Sequence, residues 1–157
     1  MPPRARRRAR GRDRRRRGGP RRARPSVHSA AIEVLFVCTG NTCRSPMAAA
    51  ILRRRLADRG AEARVRSAGT RAWDVGAPAG AVEVMREHGI DLSAHRGCQL
   101  TAELVAEAEL VLGMTRDHVA IAAARCPQAA AHAFLVGELV RLGREIGPRA
   151  SSEPVSA

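Results

Sequence analysis

The chain has 157 residues, room for one domain of ordinary size. Its formal charge of +13 sits almost wholly at one end, because thirteen of the 28 basic residues, all arginine, fall in residues 1–25 against one acid, Asp13. No run approaches the ~18 apolar residues of a bilayer span, no apolar core of a secretory signal follows the charges, and the four cysteines (38, 43, 98 and 126) fit neither a disulfide scaffold nor a paired zinc pattern.

The arginine block admits three readings. It could be a basic arm that holds nucleic acid or an acidic membrane through counterion release. It could be a disordered extension with too few apolar residues to order it, or translated upstream sequence of a GC-rich gene. No aromatic residue interrupts the arginines as in many RNA-reading segments, and the block is too continuous to make the apolar face of a transit peptide. The expectation is therefore a disordered extension over 1–25 and a soluble domain over 30–150, in a reducing cytoplasm and without membrane association. Past residue 25, fifteen arginines face fourteen acids, so the domain itself is nearly neutral.

Ile32 to Val37 is a short, nearly continuous apolar run, as in a strand buried on both faces. From Pro46 the pattern turns helical, with Ala48, Ile51, Leu52 and Leu56 on one face and Arg53, Arg54 and Arg55 largely on another. Pro46 suits a first turn, where its missing N–H would be unpaired anyway, and Gly60 is a stop. Residues 61–70 alternate as a second strand, and a loop carrying Trp73 runs to Pro78. Residues 79–88 read as a helix closed by Gly89, residues 92–100 as irregular, and Thr101 opens a short helix. A third buried strand spans 109–114, Thr115 caps a helix through Arg125, residues 131–136 form a fourth strand, and a weak helical stretch follows over 137–146. Strands alternating with helices predict an α/β domain, an open doubly wound sheet of about four parallel strands with helices on both faces. Sites in such sheets lie beyond the carboxyl ends of strands, and Cys38 stands at one.

The segment after that strand, Cys38-Thr39-Gly40-Asn41-Thr42-Cys43-Arg44-Ser45, carries the chemistry. Gly40 and Asn41 tolerate the tight or left-handed backbone that turns successive N–H groups inward. A loop of that kind running into a helix N-terminus cradles anions, so residues 39–44 are the candidate phosphate-binding amides. Its positive field favours the thiolate of a cysteine at the centre. Arg44 offers a planar fork for two phosphoryl oxygens, and the Ser45 hydroxyl is placed to donate to the Cys38 sulfur. Together these imply covalent catalysis with Cys38 as nucleophile, a cysteinyl phosphate as intermediate, and Arg44 and the amides stabilising the transition state.

The string C-T-G-N-T-C-R-S-P-M-A resembles the active-site loop of the low-molecular-weight protein tyrosine phosphatase family. The likeness continues through "RSAGT" (66–70), "HRGCQLT" (95–101) and "AELVLGMTRDH" (108–118), covering roughly residues 32–136. The resemblance implies a four-stranded parallel sheet, a two-step mechanism without metal or cofactor, and a phosphorylated protein substrate with inorganic phosphate as product. It also implies that Cys43 is a redox partner able to form a reversible disulfide with Cys38, and that Trp73 walls the substrate pocket. Thr42 resembles the loop residue of the bacterial protein-arginine phosphatases, where tyrosine-directed members usually carry bulkier aliphatics. The related arsenate reductases use two further, closely spaced cysteines, whereas Cys98 and Cys126 stand 28 positions apart.

One departure stands out. The family places its general acid, an Asp before a Pro, after the fourth strand, and here no Asp follows Asp117. Glu153 precedes Pro154 and is the one stand-in, one methylene longer. The expectation is a shortened C-terminal end, part of one sheet face left open, and an enzyme that binds phosphate but turns over poor leaving groups slowly. A phosphate-binding pseudophosphatase is the competing reading.

Overall fold

The computed structural model describes residues 31–147. The Arg-rich segment 1–25 and Glu153 lie outside the described residues. Strands β1 (Ile32–Cys38), β2 (Ala63–Gly69), β3 (Leu110–Gly113) and β4 (Ala133–Leu135) form one sheet in the order β2-β1-β3-β4, all neighbours parallel. Helices α1 (Arg44–Ala57), α2 (Ala79–Glu87), α3 (Ala102–Glu107), α4 (Arg116–Arg125) and α5 (Val136–Ile146) connect or follow them. The expected doubly wound sheet is therefore present.

β1 is the central strand, paired with β2 on one side and β3 on the other, and its last five residues are buried. Because successive side chains leave a strand on opposite faces, its apolar run feeds two cores. Leu35 and Val37 join Val105, Val111 and Ala122, beneath α3 and α4. Val34 and Phe36 join Ala49 and Leu112, beneath α1. A third cluster, Ala50, Ala81, Met85 and Leu92, seats α2 against α1. The strand order reverses direction between β1 and β3, the place where such sheets leave a crevice. Cys38 ends β1 there, level with Gly69 of β2.

Several expectations shift. α1 begins at Arg44, two residues before Pro46, with Cys43 as an N-cap that makes no side-chain capping bond. Ile51 is 41% exposed and does not share the buried face. Ala49 and Ala50 bury instead, one toward the sheet and one toward α2, because short side chains let two neighbours approach one helix closely. The fourth strand is only three residues long, since Pro127 starts a 3-10 turn that runs to His132. Gly60 and Gly89 take φ of 62° and 71°, which ends α1 and α2 as expected.

Helix α5 presents Val136 and Leu139 to the second core, yet none of its residues is fully buried. Between α5 and α1 an apolar groove of about 360 Å³ opens onto the sheet, lined among others by Phe36, Leu52, Leu112, Val136 and Leu139. Among the described residues no helix is long and apolar enough to cross a membrane.

Candidate active site

The turn after β1 is built by backbone contacts with the loop that follows β2. Thr70 N–H donates to Cys38 O at 2.9 Å, and Arg71 N–H donates to Thr39 O at 2.9 Å. Gly69 sits so close that a Cβ there would lie 2.5 Å from Thr39 O and 3.0 Å from Asn41 N. Glycine is required at that point by backbone approach, not by a turn. A third segment closes in from residues 95–99, where Gly69 N–H donates to Cys98 O at 2.8 Å.

Asn41 is the centre of the turn. It is fully buried and takes φ 52°, a left-handed conformation that Asn tolerates better than most residues. Its Nδ2 donates to Ser45 Oγ and to Ser67 Oγ, both at 2.9 Å, while its Oδ1 accepts from Cys98 N–H at 2.8 Å. His95 Nε2 lies 2.6 Å from Asn41 O and secures the backbone as well.

This brace sets the surroundings of the sulfur. Asn41 N–H donates to Cys38 Sγ at 3.2 Å, and Ser45 Oγ lies 2.9 Å from the same atom. Ser45 already accepts from Asn41 Nδ2, so its own proton is free to point at the sulfur. The Asn41 amide and the Ser45 hydroxyl thus converge on a sulfur that is 2% exposed, beside the first turn of α1.

Arg44 is exposed, and its Nη2 donates to Thr39 Oγ1 at 3.3 Å. Beside it opens a cleft of about 300 Å³ lined by Thr39, Arg44, Arg71, Thr115, Asp117 and His118. His118 is only 4% exposed; its Nε2 lies 3.0 Å from Thr39 Oγ1 and its Nδ1 2.8 Å from Thr115 Oγ1. Burial first, and the Arg44 charge second, hold its pKa below the ordinary 6.5 of an imidazole, against a smaller opposing pull from Asp117. Thr115 stands at the N-cap of α4, but no capping bond forms there. Its hydroxyl meets the ring instead.

Of the residues singled out in the sequence, Cys38, Asn41 and Ser45 come together directly, and Thr39 reaches Arg44. Gly40 packs under Trp73, whose ring would lie 3.3 Å from a Cβ at Gly40. Trp73 is 62% exposed, so it flanks the loop instead of filling a core. Thr42 is half-buried on the loop. Cys43 is a free thiol whose Sγ contacts Met47 Sδ at 3.6 Å, packed toward α2. Beyond β4, Glu138 pairs with Arg116 at 3.6 Å and Glu145 with Arg141 at 2.8 Å. The residues that sequence reasoning passed over are Ser67, His95 and His118. Each lies inside a segment whose family likeness was visible, without a sign of its contact.

A parallel sheet that delivers a cysteine into a turn of amides, with an arginine opening the next helix, is the framework of a cysteine-dependent protein phosphatase. The model of the family described as low molecular weight phosphotyrosine protein phosphatase matches residues 33–145. The chain belongs to that family. It is 46% identical over 108 residues to the probable low molecular weight protein-tyrosine-phosphatase EpsP of Ralstonia solanacearum, covering 68% of this chain and 71% of the relative. It is 45% identical over 95 residues to a protein-arginine-phosphatase of Bacillus subtilis, covering 60% of this chain and 63% of that one. Among solved structures, the YwlE arginine phosphatase in a Cys-to-Ser variant with a phosphorylated active-site serine aligns with a TM-score of 0.66 at 40% identity, covering 69% of this chain and 72% of that one.

Proposed function

We propose that this chain hydrolyses phosphotyrosine in protein substrates through a phosphoryl group carried on Cys38. The observation that carries the reading is the convergence of Asn41 N–H and Ser45 O–H on the Cys38 sulfur. The thiolate attacks phosphorus, an S–P bond forms, and the P–O bond to the leaving group breaks. Water then attacks phosphorus, the S–P bond breaks, and inorganic phosphate departs. The amides of Thr39, Gly40, Thr42, Cys43 and Arg44, with the Arg44 fork, hold the equatorial oxygens in both steps, while the Asn41 amide, also expected there from the sequence, stays on the sulfur. Ser45 stabilises the departing thiolate. Cys43, once released from Met47, serves as redox partner to an oxidised Cys38. The protein acts in the cytoplasm.

Protonation of the leaving group is the demanding step. Among the described residues, Asp117 is the carboxylate on the cleft beside Arg44, while Glu138 and Glu145 are engaged in ion pairs. General acid catalysis contributes ~10²–10⁴-fold, so turnover should depend steeply on leaving group. A p-nitrophenolate needs little help, whereas a tyrosine phenolate, whose conjugate acid has a pKa near ~10, needs more.

Thr42 and the arginine phosphatases among the relatives favour a second reading, a phosphoarginine substrate. The test is turnover of p-nitrophenyl phosphate by the wild-type chain and by Cys38→Ser, followed by phosphotyrosine and phosphoarginine peptides. Sustained turnover lost in Cys38→Ser supports the reading, and the faster peptide assigns the substrate. One stoichiometric burst without turnover would instead make the chain a phosphate-binding pseudophosphatase.

A further inference from the structure

An exposed arginine samples many rotamers, and holding one of them costs side-chain entropy. Arg44 must nevertheless keep its fork over the phosphate site. Among the described residues, the side chain that hydrogen-bonds its guanidinium is Thr39. What fixes Thr39 therefore fixes Arg44.

The directions of the hydrogen bonds in this relay turn on the tautomer of the His118 ring. A guanidinium can only donate, so Thr39 Oγ1 accepts from Arg44 Nη2 and its own proton must go elsewhere. His118 Nε2, 3.0 Å away, is placed to receive it. A neutral ring that accepts at Nε2 carries its proton on Nδ1, and that proton goes to Thr115 Oγ1 at 2.8 Å. Thr115 stands at the N-cap of α4 with its hydroxyl given to the ring. The charged groups around the ring are Arg44 on α1, Asp117 on α4 and Arg71 on the loop after β2, all lining one cleft. Ring burial and the nearby arginine agree with a neutral His118 at neutral pH.

We propose that His118 is a positioning residue of the phosphate site: as the neutral Nδ1–H tautomer it holds the Thr39 hydroxyl in one orientation, and Thr39 thereby holds the Arg44 fork. His118 touches neither sulfur nor phosphate in this scheme. The inference rests on the phosphatase reading of the loop, with Arg44 as the anion-binding group. Without the ring, the Thr39 proton can turn back toward Arg44 and the guanidinium loses its acceptor. Cys38, Asn41 and Ser45 keep their own contacts, so oxyanion binding should weaken while the sulfur stays as reactive as before.

Sulfate binding, measured by calorimetry and by competitive inhibition, tests this on wild type, His118→Ala and His118→Gln. His118→Ala is expected to bind sulfate about tenfold more weakly, the scale of one charge-assisted hydrogen bond. His118→Gln, whose amide can accept from Thr39 and donate to Thr115, is expected to recover to within about threefold of wild type. Alkylation of Cys38 by neutral iodoacetamide should stay within about twofold of wild type in both variants, since a thiol reagent without charge does not need Arg44. Nitrogen-15 NMR of the wild-type ring should report the Nδ1–H tautomer at neutral pH, a readout that stands even if His118→Ala fails to fold. If wild type binds no sulfate, the phosphate-site reading fails and takes this inference with it. If wild type binds sulfate but His118→Ala matches it, if His118→Gln is no better than Ala, or if the ring is the Nε2–H tautomer, the positioning role alone is overturned.

Discussion

Replacing Asn41 by alanine tests the internal bracing of the loop. The side chain is fully buried and makes three hydrogen bonds, to Ser45, Ser67 and the Cys98 amide. At about 1 kcal/mol net each, their loss costs about 3 kcal/mol. The residue also takes φ 52°, where alanine carries a further ~1–2 kcal/mol that glycine does not. Asn41→Ala should therefore lose about 4–5 kcal/mol in urea unfolding, and Asn41→Gly about 3 kcal/mol, against a typical total of ~5–15 kcal/mol. Activity should fall further than stability predicts. Ser45 would no longer be held with its proton toward the sulfur, so turnover of p-nitrophenyl phosphate by the fraction that remains folded should drop ~10²-fold. Urea midpoints and initial rates, measured on both variants at one temperature, separate the two effects. An Asn41→Ala variant with a wild-type midpoint, or with a rate within about twofold of wild type, would refute the bracing argument.

Three further outcomes follow from the same geometry. Leu35→Ala removes a side chain only 1% exposed in the first core and should cost about 2–5 kcal/mol, whereas Val140→Ala, at a position 47% exposed on the open groove, should cost about 0.5 kcal/mol; equal midpoints would contradict the placement of the core. Gly69→Ala pushes a methyl into Thr39 O and the Asn41 backbone, so kcat/KM should fall ~10²-fold with a stability loss of about 1–3 kcal/mol, and a fully active variant would show that the loop does not need this close approach. Because the folded-state pKa of His118 lies below 6.5, the unfolded chain takes up this proton first as pH falls. Its contribution to stability is complete above 6.5 and is lost as pH drops through the window below. His118→Gln should accordingly flatten the decline in urea midpoint between about pH 7 and about pH 5, and an unchanged slope would place the titration elsewhere.

The site was legible in the sequence as far as it is local. Cys38, Asn41, Arg44 and Ser45 fall within eight consecutive residues, and a strand that ends at the first of them fixes their order around the sulfur. The braces were not legible, because they arrive from far along the chain. Ser67 is 26 positions from Asn41, His95 is 54, the Cys98 amide 57, and His118 is 79 from Thr39. Nothing in a single sequence says which distant polar side chain a loop will recruit. Thr115 shows the same limit at short range. Its position and type predicted a cap, but a histidine three residues on took the hydroxyl.

The fold followed the hydrophobic pattern most closely where burial is two-sided, as in β1. It followed less closely in α1, where a helical face drawn from hydrophobicity placed Ile51 inside. Close approach of two neighbours selected Ala49 and Ala50 instead. Helix α5 read as weak because Gly137 and Gly143 lower its propensity. It forms nonetheless, with its apolar side toward the groove and no residue fully buried.

In the proposed mechanism the phosphoryl group passes through one sulfur. Mixing the enzyme with p-nitrophenyl phosphate, quenching in acid within the first turnover and weighing the protein by mass spectrometry measures this directly. The expected result is one added phosphoryl group, mapped to the peptide containing Cys38 and absent from Cys38→Ala. Hydrolysis that continues in Cys38→Ala, or a wild-type enzyme that turns over with no phosphoryl adduct on that peptide, would contradict it.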